Sequence, residues 1–463
     1  MKIFKFVLLL TIITIIVSCN TKTKKNFMQK NTEYFNKEEL RYPERIKNSV
    51  IYEVNIRQYT EEGTLKAFQK HLPRLNKLGV DILWFMPIQP TGVKNRKGSL
   101  GSYYSISHYT QINPEFGTPE DFKNIVEEAH KLGMLVILDW VANHTAWDNV
   151  WITEHPDWYT HNDKGEIISP VEDWTDVADL NYNNPEMRKA MVDSMKFWVE
   201  NFDIDGFRCD VAMMVDTLFW DSARIELDKV KPMFMLAEAG IEDPALMKTA
   251  FDMNYSWNIY HLMNDIAAGK KTASEIPQIF KEEDSLLPAR TIRMRFTSNH
   301  DENSWNGTVF ERMPDSYKTF AALTFTIPGM PLIYSGQEVG LDKRLRFFDK
   351  DTIIWKKSEM TDFYKTLIDI RKENKALWTN PFGGEINVLK TNNNNIFAFY
   401  RQKDDNNILC LFNLSADKQK FTITDNLKKF SYFDAFSKFD KMEVEGNTEY
   451  ELKPWKFRIL IRK

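Results

Sequence analysis

Residues 118–145 read TPEDFKNIVEEAHKLGMLVILDWVANHT, and this stretch contains the unit from which the fold is built. Its first half has apolar residues at helical spacing, with Thr118 as the predicted N-cap and Gly133 as the predicted C-cap. The apolar run Met134–Leu138 follows, and polar residues begin at Asp139. A helix, a tight turn and a short buried strand with a polar end together indicate an α/β fold.

The same alternation recurs along the chain, with helical spacing in Thr64–Leu78 and Asn184–Asn201. Asn184 is a predicted N-cap and Gly79 a predicted C-cap. Apolar runs that we predict as strands are Val50–Ile56, Val80–Phe85, Met134–Leu138, Asp205–Arg208, Phe234–Ala237, Phe251–Met253, Ile292–Phe296 and Leu332–Tyr334. Eight strands that alternate with helices predict a closed (β/α)8 TIM barrel.

Two connections in this pattern are long. One is Gln89–Gln111, after the second strand, and the other follows the third strand. Because bare loops of such length are uncommon, residues 145–183 are predicted to form a small excursion domain within a catalytic barrel at residues 49–379. Alternating runs then predict a C-terminal antiparallel β-sandwich at residues 380–463. Its predicted strands are Ile386–Lys390, Ile396–Tyr400, Ile408–Leu414, Lys420–Ile423 and Lys456–Ile461.

The N-terminus has the pattern of a targeting segment. Residues 1–18, with two Lys followed by an apolar run, are predicted as a lipoprotein signal peptide. Residues 16–19, Ile-Val-Ser-Cys, resemble a bacterial lipobox in which Cys19 is lipidated; a plain signal peptide or an uncleaved anchor is the alternative. Polar residues 19–48 are predicted as a tether. We therefore expect a membrane-anchored lipoprotein in the periplasm or on the cell surface.

The composition excludes several classes of protein. Of 463 residues, 43% are hydrophobic, which is enough for a large core and excludes a disordered chain. The net charge of −4 gives no basic field for a nucleic acid. The 13 Trp and 17 Tyr suit either sugar ligands or aromatic cores. Beyond Cys19, only Cys209 and Cys410 remain, so no disulfide framework is implied.

Polar residues cluster where the predicted barrel strands end, and the carboxyl ends of barrel strands meet at one mouth. They are Asp139, Asn143 and His144 on the third strand, Arg208 and Asp210 on the fourth, Glu238 on the fifth, and His300 and Asp301 on the seventh. Cleaving an acetal bond requires one carboxyl group as proton donor and a second as nucleophile or charge stabiliser. Arg208, two residues before Asp210, is expected to orient that carboxylate and keep it ionised. A single such residue is more often structural, but four strand ends in order favour catalysis.

These motifs resemble those of glycoside hydrolase family 13, the α-amylase family, from about Val50 onward. The segments that resemble its four conserved regions are Asp139–Thr145, Gly206–Asp210, Glu238 and Asn299–Asp301. Four further segments resemble shorter motifs of the family, namely Gly79–Trp84, Tyr104–Thr118, Asp179–Asn181 and Gly329–Glu338. The resemblance implies the same barrel, excursion and sandwich, and an α-glucan substrate.

The resemblance also implies roles for individual residues. Asp210 would be the nucleophile, Glu238 the general acid/base, and Asp301 the residue that holds the hydroxyls of the distorted sugar. The substrate-binding residues would be Tyr104, His144, Arg208 and His300, with Tyr104 stacked beneath the ring. Reaction through Asp210 would retain the anomeric configuration.

Calcium is the one cofactor that the resemblance suggests. Asn143 and Asp179 align with calcium ligands of many family members, and a hydrogen-bond network is the alternative. Two positions depart from the family. Met213-Met214 replaces a common Lys-His pair, and His108 replaces a common Asp. The first change puts acceptor-side contacts in doubt, and neither change touches the three carboxylates.

The function predicted is a retaining hydrolase of α-1,4-glucosidic bonds in starch, glycogen or maltooligosaccharides. A neopullulanase, cyclomaltodextrinase or transglycosylase of the same family is the closest alternative, and residues 20–48 leave no room for the extra N-terminal domain common in such hydrolases. A non-catalytic glucan-binding protein is a third hypothesis. The presence of all three carboxylates, Asp210, Glu238 and Asp301, favours an enzyme instead. Five Trp in and beside the excursion either stack on sugar or pack on one another: Trp140, Trp147, Trp151, Trp158 and Trp174.

Overall fold

A computed structural model describes residues 44–437 and 440–462. The predicted signal peptide, Cys19 and the predicted tether up to residue 43 lie outside these ranges. Within them, every helix is too short or too polar to cross a membrane.

The barrel predicted from the sequence is confirmed. Parallel strands close in the order β1-β2-β3-β6-β7-β8-β9-β10 and back to β1. The strands of the barrel are β1 Ile51–Val54, β2 Ile82–Phe85, β3 Leu135–Trp140, β6 Gly206–Cys209, β7 Phe234–Ala237, β8 Met253–Tyr255, β9 Ile292–Arg295 and β10 Met330–Tyr334. Each matches one of the predicted apolar runs, with shifts of a few residues at the ends.

Helices of varied length connect these strands and surround the barrel. The α-helices are α1 Ile56–Tyr59, α2 Leu65–Gln69, α3 Leu72–Leu78, α4 Pro119–Lys131, α5 Val150–Glu154, α6 Pro185–Phe202, α7 Thr217–Asp228, α8 Pro244–Lys248, α9 Trp257–Ala267, α10 Ile276–Leu286, α11 Val309–Arg312, α12 Tyr317–Thr326 and α13 Glu359–Glu373. Thr118 and Asn184 cap α4 and α6 through their side chains, as predicted. Short 3-10 segments are Glu44–Asn48, Pro156–Trp158, Ala212–Met214, Ala273–Glu275, Gln337–Val339 and Lys375–Leu377, and Glu302–Asn306 is a π-helical turn.

Apolar side chains fill both faces of the barrel wall. Ile82 and Trp84 of β2 belong to a cluster inside the barrel, whereas Leu83 and Phe85 belong to the larger core shared with the helices. This alternation follows from the two-residue period of a strand. At Gly206 of β6 an added Cβ would lie 1.9 Å from the Phe234 carbonyl oxygen, so a larger residue would push β6 and β7 apart. Strands β6 and β7 therefore pack too closely at Gly206 for a larger residue.

The segment after β3 forms a small layer of its own. Strands β4 (His144–Ala146) and β5 (Val177–Asp179) pair antiparallel, with His144 opposite Asp179. The pairing brings the two ends of the predicted excursion together beside the end of β3.

The C-terminal part is an antiparallel β-structure in two layers. A six-stranded sheet has the order β11-β12-β13-β18-β15-β16, and β14 pairs with β17 separately. The strands are β11 Ile386–Leu389, β12 Ile396–Lys403, β13 Asn406–Asn413, β14 Gln419–Thr422, β15 Phe430–Asp434, β16 Lys441–Val444, β17 Glu449–Leu452 and β18 Phe457–Arg462. Phe397 and Phe399 pack toward the main core, whereas Leu409 and Leu411 pack with Phe421 of the small sheet. The larger sheet is thus covered on both faces.

Candidate active site

A cavity of about 490 Å³ lies at the carboxyl end of the barrel. Its lining includes Asp210, Glu238, Asp301, Tyr104 and His144. These five residues follow five different barrel strands. Tyr104 comes after β2, His144 after β3, Asp210 after β6, Glu238 after β7 and Asp301 after β9. Barrel enzymes form their sites at this face because the strand ends converge there. The structure therefore brings together the residues that the sequence places at strand ends.

Arg208 is the centre of the charged cluster. It is fully buried, and its Nη1 lies 2.8 Å from Asp139 Oδ1 and 3.0 Å from Asp210 Oδ1. Its Nη2 lies 2.8 Å from Glu238 Oε2. Tyr255 accepts a hydrogen bond of 3.1 Å from Arg208 Nε. One guanidinium therefore fixes the positions of the two carboxylates to which sequence analysis gives the nucleophile and acid/base roles.

Burial dominates the electrostatics of Asp210. Burial raises the pKa of Asp210 well above its ordinary value, and the negative charges of Glu238, Asp139 and Asp301 raise it further. Arg208 acts in the opposite direction. Arg208 therefore favours the ionised form of Asp210, as expected from the sequence, but burial and the surrounding carboxylates outweigh it.

The residue after Asp210 has a strained backbone with a role in the site. Val211 has φ 36° and ψ 46°, a left-handed conformation that is costly for a β-branched residue. In this conformation its N–H donates to Glu238 Oε2 at 2.8 Å. Glu238 is thus held by Arg208 and by the backbone beside Asp210.

A second cluster surrounds His300. Its Nδ1 lies 2.5 Å from Glu53 Oε1, and its Nε2 lies 3.2 Å from Asp301 Oδ2. Burial opposes the charge on the ring, but the carboxylates of Asp301 and Glu53 raise the pKa of His300 well above its ordinary value. Against the effect of burial, His300 in turn lowers the pKa of Asp301. Asp301 is therefore held as an anion at the cavity wall.

Tyr104 and His144 line the cavity from the side of the excursion. The Tyr104 hydroxyl lies 2.7 Å from His300 Nε2 and donates to Asp139 Oδ2 at 3.1 Å. Burial lowers the pKa of His144 to about 4, so the ring is neutral near pH 7. His144 also packs edge to face against Trp174, at 5.5 Å between centroids. These contacts place a flat aromatic surface and a neutral hydrogen-bonding group beside the carboxylates.

The two predicted calcium ligands lie near each other. Asn143 precedes His144, which pairs with Asp179, and the Asn143 carbonyl accepts a hydrogen bond of 3.2 Å from the Leu180 N–H. An amide oxygen and a carboxylate suit a hard cation. Within residues 44–437 and 440–462, however, His, Cys, Asp and Glu side chains form no group of three or more that could hold a metal. The donor types fit calcium, and carbonyls and waters would have to complete the shell.

The other predicted positions lie outside the centre of the cavity. Met213 and Met214 are exposed on the 3-10 turn that follows Val211. His108 is partly buried and does not line the cavity. Cys209 is fully buried in the main core. None of these side chains lies among the carboxylates.

The tryptophans in and beside the excursion differ in their surroundings. Trp174 lines the cavity, whereas Trp140 and Trp158 are buried in the main core. Trp151 packs against Trp158 at 5.1 Å between centroids. Packing within the core is therefore confirmed for Trp140 and Trp158, and stacking of a sugar on Trp174 stays a prediction.

Sequence reasoning missed Glu53 and an aromatic group at the cavity wall. Glu53 is the only acidic residue of β1, and its partner His300 lies 247 positions later. Trp305, Phe347 and Phe348 also line the cavity, and they lie in loops whose contacts no local pattern gives. The sequence did contain one signal for Glu53, because an acidic residue inside an apolar strand is unusual and requires a buried partner. It contained no such signal for the three aromatic residues.

A carboxylate-lined cavity at the mouth of a (β/α)8 barrel is the arrangement expected of a glycoside hydrolase. The chain belongs to the alpha-amylase family: residues 40–174 and 157–376 match the family described as alpha amylase, catalytic domain. Residues 386–459 match the maltogenic amylase C-terminal domain.

Relatives and solved structures agree with this family. The chain is similar to an alpha-amylase of Haloarcula japonica, with 28% identity over 71% of this chain and 49% of that protein, about half its length. It is also similar to an intracellular maltogenic amylase of Bacillus subtilis, with 29% identity over 76% of this chain and 62% of that protein. The structure of a noncanonic maltogenic alpha-amylase of Thermotoga neapolitana has a TM-score of 0.83 and 32% identity, covering 90% of this chain and 99% of that one.

Proposed function

We propose that the protein hydrolyses α-1,4-glucosidic bonds of starch, glycogen or maltooligosaccharides with retention of configuration. The observation that carries the proposal is the joint contact of Asp210 and Glu238 with Arg208 in one cavity. A retaining glycosidase requires two carboxyl groups close enough to reach the same bond from opposite sides, about 5–5.5 Å apart. Two carboxylates on one guanidinium support that spacing.

The proposed reaction has two steps. Asp210 attacks the anomeric carbon while Glu238 donates its proton to the departing glycosidic oxygen, which leaves as an alcohol. This step forms an ester between the sugar and Asp210. Glu238 then takes a proton from water, the water oxygen attacks the anomeric carbon, and the ester bond to Asp210 breaks. Asp301 would hold hydroxyl groups of the distorted ring, and Tyr104 would support its face.

We propose an α-1,4-glucan, with cyclomaltodextrins and pullulan as the alternatives to test. The maltogenic names of two relatives and of the matching C-terminal domain support short products from a linear glucan. Chromatography of products from amylose, pullulan and cyclodextrins tests this choice: we expect amylose to be cleaved fastest. Faster cleavage of cyclodextrins would favour the cyclomaltodextrinase alternative, and transfer products at high substrate concentration would favour a transglycosylase.

A further inference from the structure

A buried carboxylate lies two layers behind the cavity wall. Asp301 and Tyr104 line the cavity, whereas His300, which contacts both, is only 2% exposed. Glu53 of β1 lies behind His300 and is fully buried. It shares the inward face of β1 with Ile51, which belongs to the apolar cluster inside the barrel. A carboxylate in such surroundings is costly unless it is paired and hydrogen-bonded, so its partner matters.

That partner is His300. Glu53 Oε1 lies 2.5 Å from His300 Nδ1 and accepts a hydrogen bond of 3.4 Å from the His300 backbone N–H. Glu53 Oε2 has no hydrogen-bond partner within the described part of the chain. The carboxylate therefore serves one imidazole ring rather than a wider network.

The contacts of the His300 ring decide where its protons lie. The Tyr104 hydroxyl donates to Asp139 Oδ2 at 3.1 Å, since a carboxylate only accepts. The Tyr104 oxygen is then the acceptor for His300 Nε2, at 2.7 Å. On the other side of the ring, Nδ1 faces the Glu53 carboxylate. Both ring nitrogens therefore donate, and a ring with two N–H groups is a charged imidazolium.

The charges around His300 favour the same state. The charged and titratable groups that face this cluster are Glu53 from β1, Tyr104 from the loop after β2, Asp139 from β3, Arg208 from β6 and Asp301 from the loop after β9. Arg208 pairs with Asp139, whereas the ion pairs of Glu53 and Asp301, among the described residues, are both with His300. Burial opposes the charge on His300, and these two carboxylates raise its pKa well above the ordinary value. The charged ring therefore depends on both of them.

We propose that Glu53 is a positioning residue that keeps both nitrogens of His300 protonated, so that Nε2 donates to Tyr104 and Asp301 at the cavity wall. This inference rests on the proposed function, in which Asp301 and Tyr104 hold the distorted sugar. A neutral ring with its proton on Nδ1 would present a lone pair to the Asp301 carboxylate and would draw the Tyr104 hydroxyl away from Asp139. Glu53 thus acts on the sugar through His300, without touching it.

The first test determines the protonation state of His300 in the full chain labelled with ¹⁵N-histidine. Two protonated ring nitrogens have similar ¹⁵N shifts, whereas the nitrogens of a neutral ring have well separated shifts. Loss of the signal in His300→Asn assigns it. At about pH 8, well above the ordinary pKa of a histidine, we expect a charged ring in the unaltered protein and a neutral ring in Glu53→Gln. A neutral ring in the unaltered protein, or a charged ring in Glu53→Gln, would overturn the inference.

The second test compares kcat/KM on maltoheptaose at two pH values. Relative to the unaltered protein, Glu53→Gln should lose about tenfold more activity at about pH 8, where its His300 is neutral, than at about pH 5.5. The control is Glu338→Gln, because Glu338 is also fully buried but bonds to Tyr52 on the outer face of β1. It should change kcat/KM by the same factor at both pH values. An equal loss at both pH values in Glu53→Gln would contradict the role of Glu53.

A double-variant cycle shows whether Glu53 acts through His300. In the His300→Asn background, Glu53→Gln should add no pH-dependent loss, and the same loss there would overturn the inference. Melting temperatures show that each variant is folded. If Glu53→Gln does not fold, the ¹⁵N spectrum of the unaltered protein decides, since a neutral His300 contradicts the inference and a charged one supports it. No turnover of any α-1,4-glucan by the unaltered protein contradicts the proposed function, whereas turnover with a neutral His300 contradicts only the role of Glu53.

Discussion

At the scale of single residues, the two carboxylates held by Arg208 have different surroundings. Asp210 shares Arg208 Nη1 with Asp139, whereas Glu238 contacts Nη2 and also accepts a hydrogen bond from the Val211 backbone. In the proposed function, Asp210 is the nucleophile and Glu238 the proton donor. The left-handed backbone at Val211 supports this division because it holds Glu238 next to Asp210.

Replacing each carboxylate separates the two roles. Glu238→Gln should slow hydrolysis of a glucan by about 10²–10⁴-fold, because proton transfer to the leaving oxygen is lost. On α-maltosyl fluoride, whose leaving group needs no proton, the same variant should accumulate a glycosyl-enzyme visible as added mass. Asp210→Asn should show neither turnover nor added mass. Wild-type rates in either variant would place the site elsewhere.

His144 predicts a pH-dependent stability. Its pKa falls to about 4 in the folded protein, below the ordinary value of 6.5, so the unfolded chain binds more protons between these values. Stability from this group is therefore complete above about pH 6.5 and is lost as pH falls toward 4, by up to about 3 kcal/mol. Urea unfolding at several pH values should show a smaller slope between pH 4 and 6.5 in His144→Gln than in His161→Gln, an exposed control. The same slope in both variants would contradict the burial argument.

At the scale of elements, loops of the barrel supply the site and strands supply the frame. The N-cap Thr118 and the apolar run Met134–Leu138 could be predicted from the sequence. A helix cap and the side-chain pattern of a strand depend only on residues close together in the chain. The same holds for Asp210 and Glu238, which come directly after β6 and β7, whereas Asp301 follows a polar segment after β9. Strands β15 to β17 were not predicted, since residues such as Lys441 and Glu449 leave them half exposed and weakly patterned.

Contacts between residues far apart in the sequence could not be predicted in this way. Glu53 of β1 contacts His300, and Leu100 contacts Phe348, across hundreds of residues. Nothing in the local sequence of either partner specifies the other. The roles of the carboxylates were inferred from the family resemblance. The contact of Arg208 with Asp210 was predicted from their spacing, whereas its contacts with Asp139 and Glu238 are seen only in the folded barrel.

We propose that a calcium ion binds where the two ends of the excursion meet. A cation held by Asn143 and Asp179 would tie β4 and β5 to the end of β3 and stabilise the folded state by mass action. Chelation should then lower the melting temperature and activity, and added calcium should restore both. Asp179→Asn should remove this response, and Asp163→Asn, an exposed control in the same excursion, should retain it. An unchanged melting curve with no calcium by elemental analysis would leave Asn143 and Asp179 as hydrogen-bonding residues.

At the scale of the whole molecule, the N-terminal sequence predicts attachment to a membrane. We propose that Cys19 is lipidated and anchors the enzyme in the periplasm or at the cell surface; several acyl chains would make the attachment stable. Cys19→Ala should release the protein from the membrane fraction or block its maturation, while Cys410→Ala should not. A Cys19→Ala protein that fractionates with membranes to the same extent would contradict the anchor.

Retaining hydrolysis through Asp210 is best tested by the anomer that is released first. A proton NMR time course of maltooligosaccharide hydrolysis follows the new reducing end before mutarotation. Two displacements at the same carbon restore the original configuration, so the α-anomer should appear first. Appearance of the β-anomer first would show a single displacement by water and would rule out a covalent intermediate on Asp210.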